Sequence, residues 1–330
     1  MEEITAIAYR PIALARWVLQ APIVEISTRR TPRSTRLATA CKGGGVSVSL
    51  TQGDCIAQLK KLPDASVDLV ESDLPYGTTG CDWDSVIDLA AMWKELYRVG
   101  KPDCVFVFTA QSPFTFVLAQ SNPYGLKHLR HTIVWEKSNG TNPFLAKRGP
   151  LKAHEDILVF CRKAARYNPQ MVEGKPYTGA GGAYSGGKAG GITGKRKGGK
   201  NTGTRYPRSV QFFAWERGWH PTQKPVALME WLVKTYSNPG QTVLDLTMGS
   251  GTTGVAAVRT GRNFIGFELS AKYMAVARRR ILCARNGQPD PQPMKAYKAK
   301  RPRFETLKGG QGLSASTSSR RRKVEVRHVA

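Results

Sequence analysis

From residue 46 to residue 284 the chain alternates short apolar runs with segments of helical periodicity, and no other feature constrains its fold as strongly. Runs at 46–50, 67–70, 104–108, 131–135, 156–161, 243–246 and 264–267 read as strands. Between them, 55–62 has helical spacing and stops at Pro63. Residues 86–99 are amphipathic and stop at Gly100, and 112–119 places Pro113 in a first turn. Helical patterns return at 225–236 and 252–259, and Ser270 opens a long one that ends near Ala284. Several strands are apolar throughout, as in a mostly parallel sheet with helices on both faces. The predicted fold class is therefore α/β, a doubly wound, Rossmann-like sheet. Such sheets bind ligands at the carboxyl ends of their strands. Two segments stand there: 73–76 and 247–253.

Charge divides the chain differently. Its 330 residues hold 50 Lys and Arg against 24 Asp and Glu, a net +26. Most of the surplus lies in three segments: 1–44 with 7 basic against 3 acidic residues, 162–218 with 12 against 2, and 285–330 with 12 against 3. A near-neutral body with basic attachments points to a polyanionic partner, nucleic acid or an anionic membrane. Basic tails also serve solubility alone, an account that fits the termini better than the Gly- and Lys-rich internal segment. Cys41, Cys55, Cys81, Cys104, Cys161 and Cys283 form no CxxC pair and have no zinc spacing, so buried free thiols are expected. His154-Glu155-Asp156 is read as structural, with no metal. The longest apolar stretch, 11–24, is too interrupted to span a membrane, and Glu2, Glu3 and Glu25 argue against a transit peptide. A cytoplasmic protein is expected. Residues 1–44 read as a poorly ordered extension and 285–330 as a disordered basic tail.

Gly249-Ser250-Gly251-Thr252-Thr253-Gly254 follows a strand and opens a helix, and Glu268 ends the next strand. That matches the dinucleotide fingerprint, with the acid placed for ribose hydroxyls. No Lys follows the glycines, so a P-loop is excluded. Asp245 ends the strand before the loop. A carboxylate there repels a pyrophosphate and favours the ammonium and sulfonium charges of S-adenosylmethionine. A plain loop-capping role for Asp245 is the alternative.

Asp73-Leu74-Pro75-Tyr76 suits methyl transfer to an exocyclic amine, whose lone pair is delocalised into its ring. Acceptors for the amine hydrogens free that lone pair. Asp73 offers a side-chain acceptor and Leu74 a backbone carbonyl. Pro75 fixes the direction of the turn, and Tyr76 offers a face to an extruded base. Alone, the tetrapeptide is as well explained as an ordinary turn. Its place at a strand end, in one chain with the glycine loop, favours the chemistry.

With these residues in hand the sequence resembles the amino methyltransferases of DNA in their β-class, circularly permuted motif order. The catalytic motif resembles 73–76, and the cofactor motif resembles 244–253, including Asp245, Thr247, Gly249, Ser250, Gly251 and Thr252. The signature His220-Pro-Thr-Gln-Lys-Pro225 stands in full between them. Glu268 resembles the ribose-binding acid and Asp54 the residue beside the cofactor adenine. The resemblance covers about 46–284. It implies a catalytic half at 45–161, a target-recognition insertion at 162–218 and a cofactor half at 219–284. Thr222 and Lys224 would then serve the cofactor's carboxylate. Within the insertion Lys188, Lys195, Arg196, Lys197, Lys200, Arg205 and Arg208, set among glycines, would contact DNA phosphates.

Leu74 departs from the family's usual proline, yet only its carbonyl is needed. Asp at the first motif position implies adenine N6 by family analogy, and cytosine N4 is the rival. An amino methyltransferase of RNA or protein glutamine, an NAD-dependent oxidoreductase and a non-catalytic DNA-binding protein are further alternatives. Double-stranded DNA is the expected partner. A homodimer and a separate restriction nuclease are compatible, and no nuclease motif stands in the sequence.

Overall fold

The computed structural model describes residues 45–77, 85–141, 143–179, 182–185, 193–196 and 198–291. The expectations for 1–44 and for 292–330 lie outside these residues. β1 (Val48–Gln52), α1 (Cys55–Leu59), β2 (Val67–Asp73), α2 (Leu89–Val99), β3 (Gly100–Ala110) and α3 (Phe114–Ser121) come first. β4 (Leu129–Thr141) and β5 (Lys152–Cys161) follow. Six short strands come next: β6 (Val172–Glu173), β7 (Tyr177–Gly179), β8 (Gly182–Ser185), β9 (Thr193–Arg196), β10 (Gly199–Asn201) and β11 (Thr204–Arg205). The chain then runs through β12 (Val210–Phe213), α4 (Val226–Tyr236), β13 (Thr242–Asp245), α5 (Thr252–Arg259), β14 (Asn263–Glu268) and α6 (Ala271–Arg285).

Among the described residues eight strands make one sheet in the order β1-β14-β13-β2-β3-β5-β4-β12. Only β5 runs against the rest; the other neighbours pair in parallel. The mostly parallel, doubly wound sheet read from the sequence is thus present. Alternate residues serve opposite faces. Leu69, Val105, Val107 and Val159 pack toward the helices α4, α5 and α6. Val70, Phe106, Phe108 and Phe160 pack toward α1, α2 and α3. In the second layer Trp93 of α2 is wholly buried, with its ring edge-on to Phe106, Phe108 and Phe160.

β2 and β13 are neighbours, but the chain leaves them in opposite directions, from β2 toward β3 and from β13 toward β14. Their carboxyl ends therefore form a switch point, where a crevice opens outside the sheet. Both motif segments sit on that seam.

Two local expectations shift. The helix read from Val86 begins at Leu89, because the Asp88 side chain caps it by accepting from Ala91 N at 3.0 Å. Pro113 occupies the cap position before α3 rather than its first turn. Within the Gly- and Lys-rich segment 162–218 the described residues form three small antiparallel ladders, β6 with β11, β7 with β10 and β8 with β9. Its last part, β12, rejoins the large sheet beside β4.

Candidate active site

The crevice at the β2/β13 seam holds a cavity of about 430 Å³. β2 ends on Asp73, whose cross-strand partner on β3 is Thr109. Thr109 Oγ1 donates to Asp73 Oδ1. The Tyr76 hydroxyl donates to the same oxygen at 2.7 Å, which locks the turn through Leu74 and Pro75. Leu74 puts its side chain into the core, so its departure from proline is absorbed by packing. The Tyr76 ring stacks on Phe114, with centroids 5.3 Å apart, so one of its faces is covered.

Asp73 Oδ2 meets the Lys224 ammonium at 2.6 Å. Lys224 also reaches Glu155 Oε2 at 3.2 Å, and Glu155 Oε1 meets Lys137 at 2.6 Å. Burial alone would push the Lys224 pKa down, but Asp73 and Glu155 outweigh it and the net shift is upward. Burial likewise opposes the Glu155 charge, and Lys224 and Lys137 overcome it, leaving its pKa lowered. Both residues are held ionised. Burial, then the charges of Asp73 and Glu155, push the Tyr76 phenol well up, so it stays a neutral donor.

On the other side of the seam Asp245, 3 % exposed, accepts from Ser72 Oγ at 2.8 Å and from Thr247 N at 3.1 Å. Among the described residues no Lys or Arg pairs with it. Burial pushes its carboxyl up to about 7. On the neighbouring strand β2, Glu71 is buried with neither oxygen bonded among the described residues. Burial, then the charge of Asp245, push the Glu71 carboxyl well above the usual carboxylate range. Thr247 Oγ1 donates to the Asp73 carbonyl at 2.8 Å and so ties the two motifs together across the seam.

The glycine loop is built for close packing. Gly251 takes φ +79°, and a Cβ there would stand 2.8 Å from the Ala277 Cβ on α6. It lies behind the cavity, while Gly249, Ser250 and Thr252 line it. Glu268 accepts from Gly249 N at 2.9 Å and Ser270 N at 2.7 Å. Asp54 caps α1 through Ala57 N at 2.8 Å and lines the cavity as well. His220 lies edge-on to Tyr273, and its Nδ1 is 3.0 Å from the Thr222 hydroxyl.

The structure thus brings together Asp73, Leu74, Pro75, Tyr76, Asp54, Thr222, Lys224, Asp245, Thr247, Gly249, Ser250, Thr252 and Glu268 around one cavity. Lys224 is the residue whose place differs most from its expected one. Its ammonium is committed to Asp73 and Glu155 rather than turned to a cofactor carboxylate, because the half-buried Asp73 and the buried Glu155 both pair with it. Among the insertion residues, Lys200 and Arg208 are exposed. Arg205 is tied inside the insertion instead, to Asn201 Oδ1 at 2.5 Å and to the Lys175 carbonyl, with its guanidinium 4.6 Å from the Tyr177 ring centroid. Lys188 and Lys197 lie outside the described residues, and of Lys195 and Arg196 only the backbone, in β9, is described. Sequence reasoning missed Lys137, Thr109 and Arg280, and it assigned Glu155 no part in the site. Arg280 is fully buried in α6 and donates to the Ser250 carbonyl at 3.0 Å and Thr252 Oγ1 at 3.1 Å. It holds the glycine loop from below and pairs with Asp290 at 2.5 Å.

Comparison with known proteins decides the family. The family model described as DNA methylase matches residues 67–279. The chain belongs to the DNA methylase family. It is 32% identical over 262 residues to the DNA adenine methyltransferase YhdJ of Escherichia coli K12, a match covering 72% of this chain and 84% of that one. It is 29% identical over 243 residues to the Type II methyltransferase M1.MboII of Moraxella bovis, covering 68% and 92%. The solved PvuII DNA methyltransferase, named as cytosine-N4-specific, shares the fold with a TM-score of 0.53 and 16% identity, over 73% of this methylase and 92% of that chain. Membership of the family sets aside an NAD-dependent oxidoreductase built on the same glycine loop. No helix among the described residues of this methylase is long and apolar enough to cross a membrane.

Proposed function

We propose that the enzyme transfers the methyl group of S-adenosylmethionine to N6 of an adenine turned out of duplex DNA. The observation that carries this reading is the Thr247–Asp73 hydrogen bond, 2.8 Å long, which sets the acceptor site for an amine directly beside the glycine loop. Asp245 supports the choice of cofactor. It is a buried carboxyl in the cavity wall with no cation beside it among the described residues, which suits a ligand carrying positive charge and opposes a pyrophosphate. The cavity of about 430 Å³ falls in the range of roughly 300–1,000 Å³ usual for such ligands. When bound, the cofactor supplies an electrophilic methyl on a sulfonium.

The chain's own residues do the rest. Asp245 and Glu268, which line the cavity, would hold the cationic and ribose ends of the cofactor, and Asp54 would lie near its adenine. Asp73 Oδ2 accepts one hydrogen of the target amine and the Leu74 carbonyl accepts the other, which turns the nitrogen lone pair toward the methyl. Transfer would break the methyl–sulfur bond as the nitrogen–carbon bond forms, and the amine's surplus proton would leave to Asp73 and then to solvent. No enzyme nucleophile is required. Adenine is favoured over cytosine by Asp at the head of the motif and by the adenine methyltransferase among the relatives. On this reading 45–161 and 219–284 form the catalytic and cofactor halves, and 162–218 grips DNA with Lys200 and Arg208 among its contacts. A second copy of the chain and a separate restriction nuclease are partners this reading allows.

Replacing Asp73 by Ala tests the assignment. The methylation rate is expected to fall by about 100-fold or more, while calorimetry shows S-adenosylmethionine bound as before. A variant that methylates DNA at the wild-type rate would rule out Asp73 as the acceptor.

A further inference from the structure

Beyond the two motifs, four charges form a chain into the protein: Asp73, Lys224, Glu155 and Lys137, joined by contacts of 2.6, 3.2 and 2.6 Å. They come from four separate pieces of the fold, the end of β2, the loop before α4, β5 and β4. Their side chains are 25%, 7%, 10% and 5% exposed, and all four line the cavity. The chain is neutral as a whole. Buried ion pairs of this kind give little stability over apolar residues of the same size, so stability alone is a weak reason for them.

A count of lone pairs shows what the chain does at its open end. A carboxylate offers about four acceptor positions. On Asp73, Oδ1 takes the Tyr76 and Thr109 hydroxyls, and Oδ2 takes Lys224. The described residues leave one position, on Oδ2. If Lys224 swung away, Oδ2 would present two positions and no fixed direction for an incoming amine. Glu155 holds Lys224 from the other side, and Glu155 is in turn held by Lys137 on Oε1 and by Lys224 on Oε2, with the Tyr76 hydroxyl a longer 3.3 Å from Oε2.

We propose that Glu155 and Lys137 are positioning residues for the transfer, holding Lys224 on Asp73 so that a single lone pair of Oδ2 is presented to the amine of the target base. This rests on the function proposed above. It also moves Lys224 from the cofactor to the acceptor carboxylate, and the two roles are separable. A lysine serving the cofactor carboxylate affects cofactor affinity. A lysine aiming Asp73 affects the transfer step.

The test compares full-length wild type with Glu155→Gln, Lys137→Met and Lys224→Met in single-turnover methylation of duplex DNA. S-Adenosylmethionine affinity is measured by calorimetry, and Tm is recorded for each. Glu155→Gln is expected to slow transfer about tenfold or more, with cofactor Kd within twofold of wild type. Lys224→Met slows it further, again without weakening the cofactor. Lys137→Met, at the far end of the chain, slows transfer less than Glu155→Gln and carries the test if Glu155→Gln does not fold. Transfer at the wild-type rate in both Lys137→Met and Glu155→Gln overturns the proposal. So does a loss of rate matched by an equal loss of cofactor affinity, which returns Lys224 to the cofactor. Wild type that methylates no DNA overturns the function beneath it instead.

Discussion

Asp245 shows how one residue's surroundings decide what binds. Its carboxyl is pushed up to about 7, chiefly by burial, and no Lys or Arg among the described residues pairs with it. A cationic ligand lowers that value on binding, so binding and ionisation are linked. The sign follows: affinity for S-adenosylmethionine rises with pH through about 7, levels off above it and weakens as pH falls below it. Calorimetry across pH 5.5–8.5 checks this, and an Asp245→Asn variant should lose that pH dependence along with affinity. The sequence placed Asp245 at a strand end beside the loop, and there the structure has it. Glu155 was harder to read. Within His154-Glu155-Asp156 nothing local marks it, because its partners Lys137 and Lys224 come from distant parts of the sequence and meet only when β4, β5 and the loop before α4 assemble.

Among the elements, the strands and helices were legible because their periodicity is local. Leu69 and Val70, or Val107 and Phe108, face opposite layers as alternation requires. The short ladders of 162–210 were not legible, since Gly, Lys and Thr carry no apolar pattern and their pairing depends on hairpin geometry alone. The glycine loop was read as a cofactor cradle, yet part of its chemistry is packing. Gly251 combines φ +79° with a near contact to Ala277. Gly251→Ala is therefore expected to cost about 2 kcal/mol of stability from left-handed strain and overpacking, visible as a lower midpoint in urea. It should also weaken cofactor binding, because Arg280 can no longer seat Ser250 and Thr252 as it does now. An unchanged midpoint would show that the loop has slack the structure does not display.

Over the whole molecule, a net +26 is concentrated away from the methylase body. Phosphate binding by Lys and Arg releases counterions, so DNA affinity is expected to fall steeply with salt. Replacing Lys200 and Arg208 together by Ala should flatten the slope of log K against log salt by roughly 0.9 for each phosphate no longer neutralised. Arg205→Ala acts otherwise, because its guanidinium is spent on Asn201 and Lys175. It should reduce the order of the insertion more than the salt slope. Titrations of a fluorescent duplex at several salt concentrations separate these outcomes, and an unchanged slope in the double variant would remove Lys200 and Arg208 from the DNA interface. The charge distribution announced a polyanion in advance. It could not single out Arg205, whose role depends on a fold-back that composition does not encode.

The central claim joins the Asp73 turn to the cofactor loop in one transfer to adenine, and the modified base itself tests it most directly. Duplex DNA is incubated with the protein and S-adenosylmethionine carrying a labelled methyl group, then digested to nucleosides and separated by mass. The account predicts label in N6-methyladenine, abolished in Asp73→Ala. Label in N4-methylcytosine alone, or no labelled nucleoside at all, would contradict it.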